Sequence, residues 1–167
     1  MNEQIDKTRE HCIELLESRG VKLEDIDDRP RYLQEDYHVN LTAEELRGSV
    51  MAVLSKREVQ YAIMTAIELD RLSEEDKFHD KELEGLLNSD DGLFGVDEVL
   101  AYGICNLYGS IALTNFGFID KNKYGIIDRL NKAGKNSGRC NTFIDDIVGA
   151  IAAAAASRFA HRSKEEE

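Results

Sequence analysis

The stretch Asn141-Thr-Phe-Ile-Asp-Asp-Ile-Val-Gly-Ala-Ile-Ala-Ala-Ala-Ala-Ala-Ser-Arg158 decides the fold. Residues 143–160 are apolar or small on nearly every side, so a helix built from them must be surrounded by other helices. Its only charges near the start are Asp145 and Asp146. Adjacent residues project about 100° apart on a helix, so at least one of the two carboxylates faces the interior or a cleft. One reading is a helix start that complements the macrodipole beside a Thr142 cap. The other is a buried carboxylate pair that needs a cation or hydrogen bonds, and Mg²⁺ is the usual cation where phosphate must also be held.

Working outward, residues 96–114 have the same texture and are expected to share the centre. Gly103, Gly109, Ser110 and Ala112 would let backbones approach closely there. Amphipathic helices are expected around this pair. Residues 3–19 place Ile5, Cys12, Ile13, Leu15 and Leu16 on one side before Gly20. A second helix is expected over about 23–37, with Ile26, Leu33 and Tyr37 inward and Pro30 as kink or late start. Thr42-Ala-Glu-Glu45 and Ser55-Lys-Arg-Glu58 have capping-box form and predict helices over about 43–54 and 57–72. Shorter helices are expected near 79–88 and 122–132, the first followed by an Asn88–Gly92 turn. Between Asn115 and Asn141 loop signals dominate. No segment reads as a strand, so the fold class is all-α: a single-domain helical bundle over 1–167, with apolar central helices ringed by amphipathic ones and 163–167 as a disordered tail.

Composition narrows the functional classes. The 167-residue chain carries 33 acidic and 21 basic side chains, a net charge of −12, which disfavours nucleic acid and anionic lipid surfaces without a local basic patch. Three cysteines, Cys12, Cys105 and Cys140, are too few and too scattered for a disulfide framework or a zinc knuckle. There is no basic head with an apolar block at the N-terminus, and the longest apolar run, Ile147–Ala156, falls short of the roughly 20 residues of a membrane helix. A cytoplasmic protein is expected, at most peripheral to the inner face of the membrane. The charge is uneven: residues 1–99 hold 26 acidic and 12 basic side chains, residues 100–163 only 4 acidic and 8 basic. Six of those eight (Lys121, Lys123, Arg129, Lys132, Lys135, Arg139) fall within 121–139 and form a candidate anion site.

Several catalytic signatures are excluded. Gly134-Lys135-Asn136-Ser137 lacks the upstream glycine of a Walker loop, since position 129 is Arg. Cys140 has Asp146, not Arg, six residues on, and no Gly-x-Ser-x-Gly elbow exists. His11, His38, His79 and His161 show no ligand spacing.

Phe143-Ile-Asp-Asp-Ile-Val-Gly-Ala-Ile151, preceded by Gly138, resembles the terminal signature of the phosphatidylglycerophosphatase A family. Tyr108-Gly-Ser-Ile-Ala-Leu-Thr-Asn-Phe-Gly-Phe-Ile-Asp-Lys121, together with Thr142–Asp146 and Ala152–Arg158, is closer still to its soluble low-temperature-requirement-C-like branch. The Pro-Gly-Thr loop and Lys-Pro pair of the membrane enzymes have no counterpart here. The resemblance implies a Mg²⁺-dependent phosphatase that removes the terminal phosphate of phosphatidylglycerophosphate or a related ester. Asp145 and Asp146 would be the catalytic residues and metal ligands, helped by Asp120 or by Asp97 and Glu98. Lys121, Lys123, Arg129 and Arg139 would clamp phosphate, with Asn115 as a further polar contact. The expected partner is a phosphate-bearing small molecule or lipid headgroup, with no nucleic acid, in a homo-oligomer. The rival is a non-catalytic binding or oligomeric protein that kept the scaffold. An all-α nucleotide pyrophosphohydrolase is a third reading, but Glu44-Glu45 is not followed by the second acidic element that such enzymes use.

Overall fold

A computed structural model describes residues 2–27, 41–136 and 138–162. Eight α-helices are present among them, and no strand: α1 (Asn2–Ser18), α2 (Ala43–Leu54), α3 (Arg57–Glu74), α4 (Lys81–Ser89), α5 (Val96–Cys105), α6 (Gly109–Asn122), α7 (Ile126–Asn136) and α8 (Ile144–Arg162). A single turn of helix also covers 23–27. The rest of the helix expected over 23–37, with Pro30, Leu33, Tyr37 and His38, lies outside the described residues, as do residues 163–167 and the side chains of Lys135 and His161.

α8 is the axis of the bundle. Every residue from Phe143 to Ala156 is buried, and α2, α3, α5, α6 and α7 all pack on it. Its alanines make this possible, because small side chains let five neighbours reach one helix. At Gly149 the approach is closest: a Cβ there would lie 3.4 Å from Ile119 and from the Phe116 ring on α6. Ser49 on α2 donates to the Ala155 carbonyl at 2.9 Å, and Ser157 to the Tyr108 carbonyl at 3.0 Å, tying the outer helices to the axis by polar contacts. On the far side, α1 lies along α3.

The Thr42 capping box forms as predicted, with Thr42 Oγ1 accepting from Glu45 N and the Glu45 carboxylate accepting from Thr42 N. The second box does not. Lys56 precedes α3 without a side-chain cap, while Ser55 Oγ donates to the Met51 carbonyl and accepts from Arg9. Two larger corrections concern the second half. The expected central helix over 96–114 is two helices, broken by a 3₁₀ turn at Asn106–Tyr108 and by Gly109 at φ 80°. Only one side of each meets α8, so they flank the centre and do not share it. By length and composition alone Val96–Asn122 could cross a membrane, although the sequence was expected to hold no such stretch; Gly109 interrupts it. The expected loop from Asn115 onward is helical to Asn122, and the short helix starts at Ile126, after Lys123 in a left-handed conformation (φ 38°) and Gly125.

Candidate metal-binding site

The site is built where α8 begins. A helix start buried this deeply leaves N–H groups without solvent, and they must find protein partners. Thr142 was the expected cap, but its hydroxyl donates instead to the Leu87 carbonyl at 2.7 Å. The cap comes from α3: Asp70 Oδ1 accepts from Phe143 N at 3.0 Å and Oδ2 from Ile144 N at 2.9 Å. Cys140 Sγ also lies 3.6 Å from Asp70 Oδ1. Asp70 is completely buried, and burial pushes its carboxyl up to about 7 against the pull of the two N–H groups and Arg19. The preceding turn is bolted from the turn that follows α1. Arg19 donates to Glu74 Oε2 at 2.9 Å, the Cys140 carbonyl at 2.6 Å and Asn141 Oδ1 at 3.0 Å.

On this fixed base Asp145 and Asp146 diverge, and both are buried. Asp145 Oδ2 accepts from Lys123 Nζ at 3.0 Å, and Lys123 also meets Asp120 Oδ1 at 3.1 Å. The left-handed backbone at Lys123 ends α6 at the point from which its side chain reaches back between these two acids. Burial alone would pull the Lys123 ammonium down, but Asp145 and Asp120 outweigh it and hold it above the usual lysine range. Burial likewise lifts Asp145 to about 6, with Lys123 opposing.

Asp146 faces α5. One carboxylate oxygen each from Asp146, Asp97 and Glu98 lie within 4.8 Å of one another. Burial, then the charges of Asp145, Asp97 and Asp120, push Asp146 up to about 9; burial and neighbouring Glu98 push Asp97 up to about 7. Three acids this close cannot all ionise in a low-dielectric setting unless a cation joins them. The donors are all oxygens, the set preferred by Mg²⁺, Ca²⁺ and Mn²⁺. Ligand oxygens on one Mg²⁺ are about 3.0 Å apart when adjacent and about 4.2 Å when opposite, so the three oxygens would draw together on binding the ion. The cluster could therefore hold a metal.

Beyond Asp145 lies a polar cleft of about 220 Å³ lined by Asn88, Asn131, Gly134, Arg139, Asn141 and Thr142 among others. On the opposite flank Tyr102, one turn after Glu98, packs edge-on against Phe116 with ring centres 5.5 Å apart. Its phenol is raised by burial and by Glu98, Asp120 and Asp146.

The expected site residues thus separate into groups. Asp97, Glu98 and Asp146 converge, Asp120, Lys123 and Asp145 form the adjoining ion-paired set, and Arg139 lines the cleft. Lys121 is exposed at the end of α6 with no pairing partner among the described residues. Arg129 does not join: it pairs with Asp25 at 2.6 Å, because α7 presents it toward the 23–27 turn. Asn115 is half-buried about two turns before Lys123, its Nδ2 buried without a hydrogen-bond partner among the described residues. Asp70 and Arg19 escaped sequence reasoning. Asp70 did leave a signal, as the one acid on the buried stripe Val59, Ile63, Ala66, Ile67, Asp70 of α3.

The sequence pattern of the family described as Phosphatidylglycerophosphatase A matches residues 39–161, and the chain belongs to that family. It is 50% identical over 166 residues to YutG of Bacillus subtilis (strain 168), covering 99% of this chain and 98% of that protein. Among solved structures it is similar to the low temperature requirement C protein from Listeria monocytogenes, with 45% identity, 94% and 97% coverage and a TM-score of 0.89. It is also similar to a protein of unknown function from Bacillus stearothermophilus, with 53% identity, 92% and 94% coverage and a TM-score of 0.87. The family is phosphatase-related, and the fold described above is shared with these solved relatives.

Proposed function

We propose that this protein is a Mg²⁺-dependent phosphomonoesterase acting on phosphatidylglycerophosphate or a related phosphate ester. The observation that carries this reading is the convergence of Asp146, Asp97 and Glu98 from two different helices onto one point, while Asp145, next to Asp146 in the chain, lines a cleft with Arg139, whose guanidinium has no ion pair among the described residues. Family membership adds the reaction class.

The residues divide the work. Asp146, Asp97 and Glu98 would hold the ion. When bound, a divalent cation neutralises phosphate oxygens and lowers the pKa of a coordinated water. Lys123 keeps Asp145 and Asp120 oriented and removes their charge from the neighbourhood of the incoming phosphate. It uses two of its three N–H donors in doing so, which leaves one for a phosphate oxygen. Arg139 offers a forked set of donors at the cleft edge, suited to bidentate contact with phosphate. This division explains how a chain of net charge −12 could receive an anion.

The test is inorganic phosphate release from phosphatidylglycerophosphate, glycerol phosphates and nucleotides, with and without Mg²⁺. Turnover of at least one of them that requires Mg²⁺ and is lost in Asp146→Asn supports the reading. Folded protein without turnover on any of them returns the choice to the non-catalytic binding protein.

A further inference from the structure

The acids around the start of α8 fall into two sets, and only one of them is open to an ion. Asp146, Asp97 and Glu98 converge with no basic side chain paired to them among the described residues. Asp120 from α6 and Asp145 from α8 also converge, but on Lys123, whose Nζ lies 3.1 Å from Asp120 Oδ1 and 3.0 Å from Asp145 Oδ2. After burial, the charges of Asp145, Asp97 and Asp120 raise Asp146 and that of Lys123 lowers it, so the two sets share one electrostatic neighbourhood. The second set therefore has what the first lacks, a positive charge seated between oxygens brought together from two helices.

The backbone shows that this seat is specified. Lys123 ends α6 at φ 38°, a left-handed conformation that glycine adopts freely and lysine does not. The turn alone would favour glycine, as at Gly125 (φ 57°) two residues on; lysine adds the ammonium. That ammonium also takes the place an ion would need. A divalent cation about 2.1 Å from both oxygens would displace Nζ or face it at about 4 to 5 Å, where like charges in a buried setting repel. We infer that the Lys123 ammonium stands in for a second metal ion: Asp120 and Asp145 form a cation site that the chain fills itself, and the centre takes one divalent ion, held by Asp146, Asp97 and Glu98.

The consequence is a division of labour. Two-ion hydrolytic centres place their metals about 3.5–4 Å apart to serve the attacking and the leaving oxygen. A tethered ammonium supplies a second positive charge at every metal concentration, but it does not coordinate water, so that task falls to the single ion. The single-ion statement rests on the metal-centre reading above; the filling of the Asp120–Asp145 seat by Lys123 does not.

Mn²⁺ titration of the full chain, followed by electron paramagnetic resonance, counts the ions. Wild type should bind one, with the signal of an isolated ion. Lys123→Gly suits the left-handed backbone and opens the seat, and Lys123→Asn is the next residue tolerated there. Each variant that keeps its far-UV circular dichroism should bind two, with the broadened signal of a spin-coupled pair. Lys121→Gln removes the same charge from the end of the same helix without touching either acid, and should still bind one. Two ions in wild type, one in both Lys123 variants beside one in wild type, or a second ion in Lys121→Gln overturns the inference while leaving the metal-centre reading in place. No ion in wild type but one in the Lys123 variants upholds the filled seat and removes that reading. No binding to any of the proteins overturns both.

Discussion

Asp70 on α3 stands 74 residues before Ile144, yet its Oδ2 accepts the Ile144 N–H at 2.9 Å while its Oδ1 takes the neighbouring Phe143 N–H. One buried carboxylate thus sets where α8 begins, and with it the directions of Asp145 and Asp146. Replacing Asp70 by Ala strands two buried N–H groups, and a loss of about 2–4 kcal/mol in urea unfolding is expected. Asp70→Asn keeps one acceptor oxygen and should lose roughly half as much. Equal stability of wild type and Asp70→Ala would show that the cap is not structural.

The acidic cluster gives an inverted result for a core substitution. Without divalent cation, Asp146 is held in a setting that disfavours its charge, so Asp146→Asn should raise stability by about 1–3 kcal/mol and the melting temperature by several degrees. The same variant should lose the further stabilisation that millimolar Mg²⁺ gives the wild type. Thermal melts of both proteins, with Mg²⁺ and with chelator, check the two halves together.

The raised carboxyls also fix a pH dependence. Asp146 at about 9, Asp97 and Asp70 at about 7 and Asp145 at about 6 all sit above the unfolded value of about 4. The folded state then binds more protons than the unfolded one between pH 4 and 9, so metal-free stability should fall as pH rises through that window. Mg²⁺ should flatten the upper part of the curve by favouring the ionised forms of Asp97 and Asp146. A chelated protein whose stability climbs from pH 5 to 8 would contradict these assignments.

Lys123 is the counter-charge that Asp145 depends on. Its side chain is 30% exposed against 8% for Asp145, so Lys123→Met leaves a buried carboxylate unpaired at a cost of about 2–4 kcal/mol. Adding Asp145→Asn should recover a large part of the loss, with a coupling of at least about 1 kcal/mol in a double-mutant cycle. Simple additivity would mean that the ion pair contributes nothing to the fold.

Arg139 has the opposite profile, being exposed and without an ion pair among the described residues. Arg139→Ala should move stability by less than about 0.5 kcal/mol. Loss of one charge-assisted contact should raise KM for a phosphate ester about tenfold.

Much of this arrangement was legible in the chain. The apolar run at 143–160 marked the axis, because no other placement removes so many apolar faces from water. Thr42 and Glu45 marked a helix start through strictly local chemistry. The acids of the cluster could be named by type, but the meeting of Asp97 and Glu98 with Asp146 depends on how α5 leans on α8, which no local pattern encodes. Asp70 was hidden for the same reason: on the sequence it is one acid inside an amphipathic helix, and only the fold supplies the two N–H groups it serves. The break at Gly109 was misread because apolar residues continue on both sides of it, and composition does not register a change of direction.

The central claim is that Asp146, Asp97 and Glu98 form a divalent-cation site. Anomalous scattering from crystals of the protein soaked in Mn²⁺ tests it most directly. The account predicts one strong peak about 2.2 Å from a carboxylate oxygen of each of the three residues. The absence of a peak there, with Mn²⁺ bound at other residues and phosphatase activity intact, would contradict it.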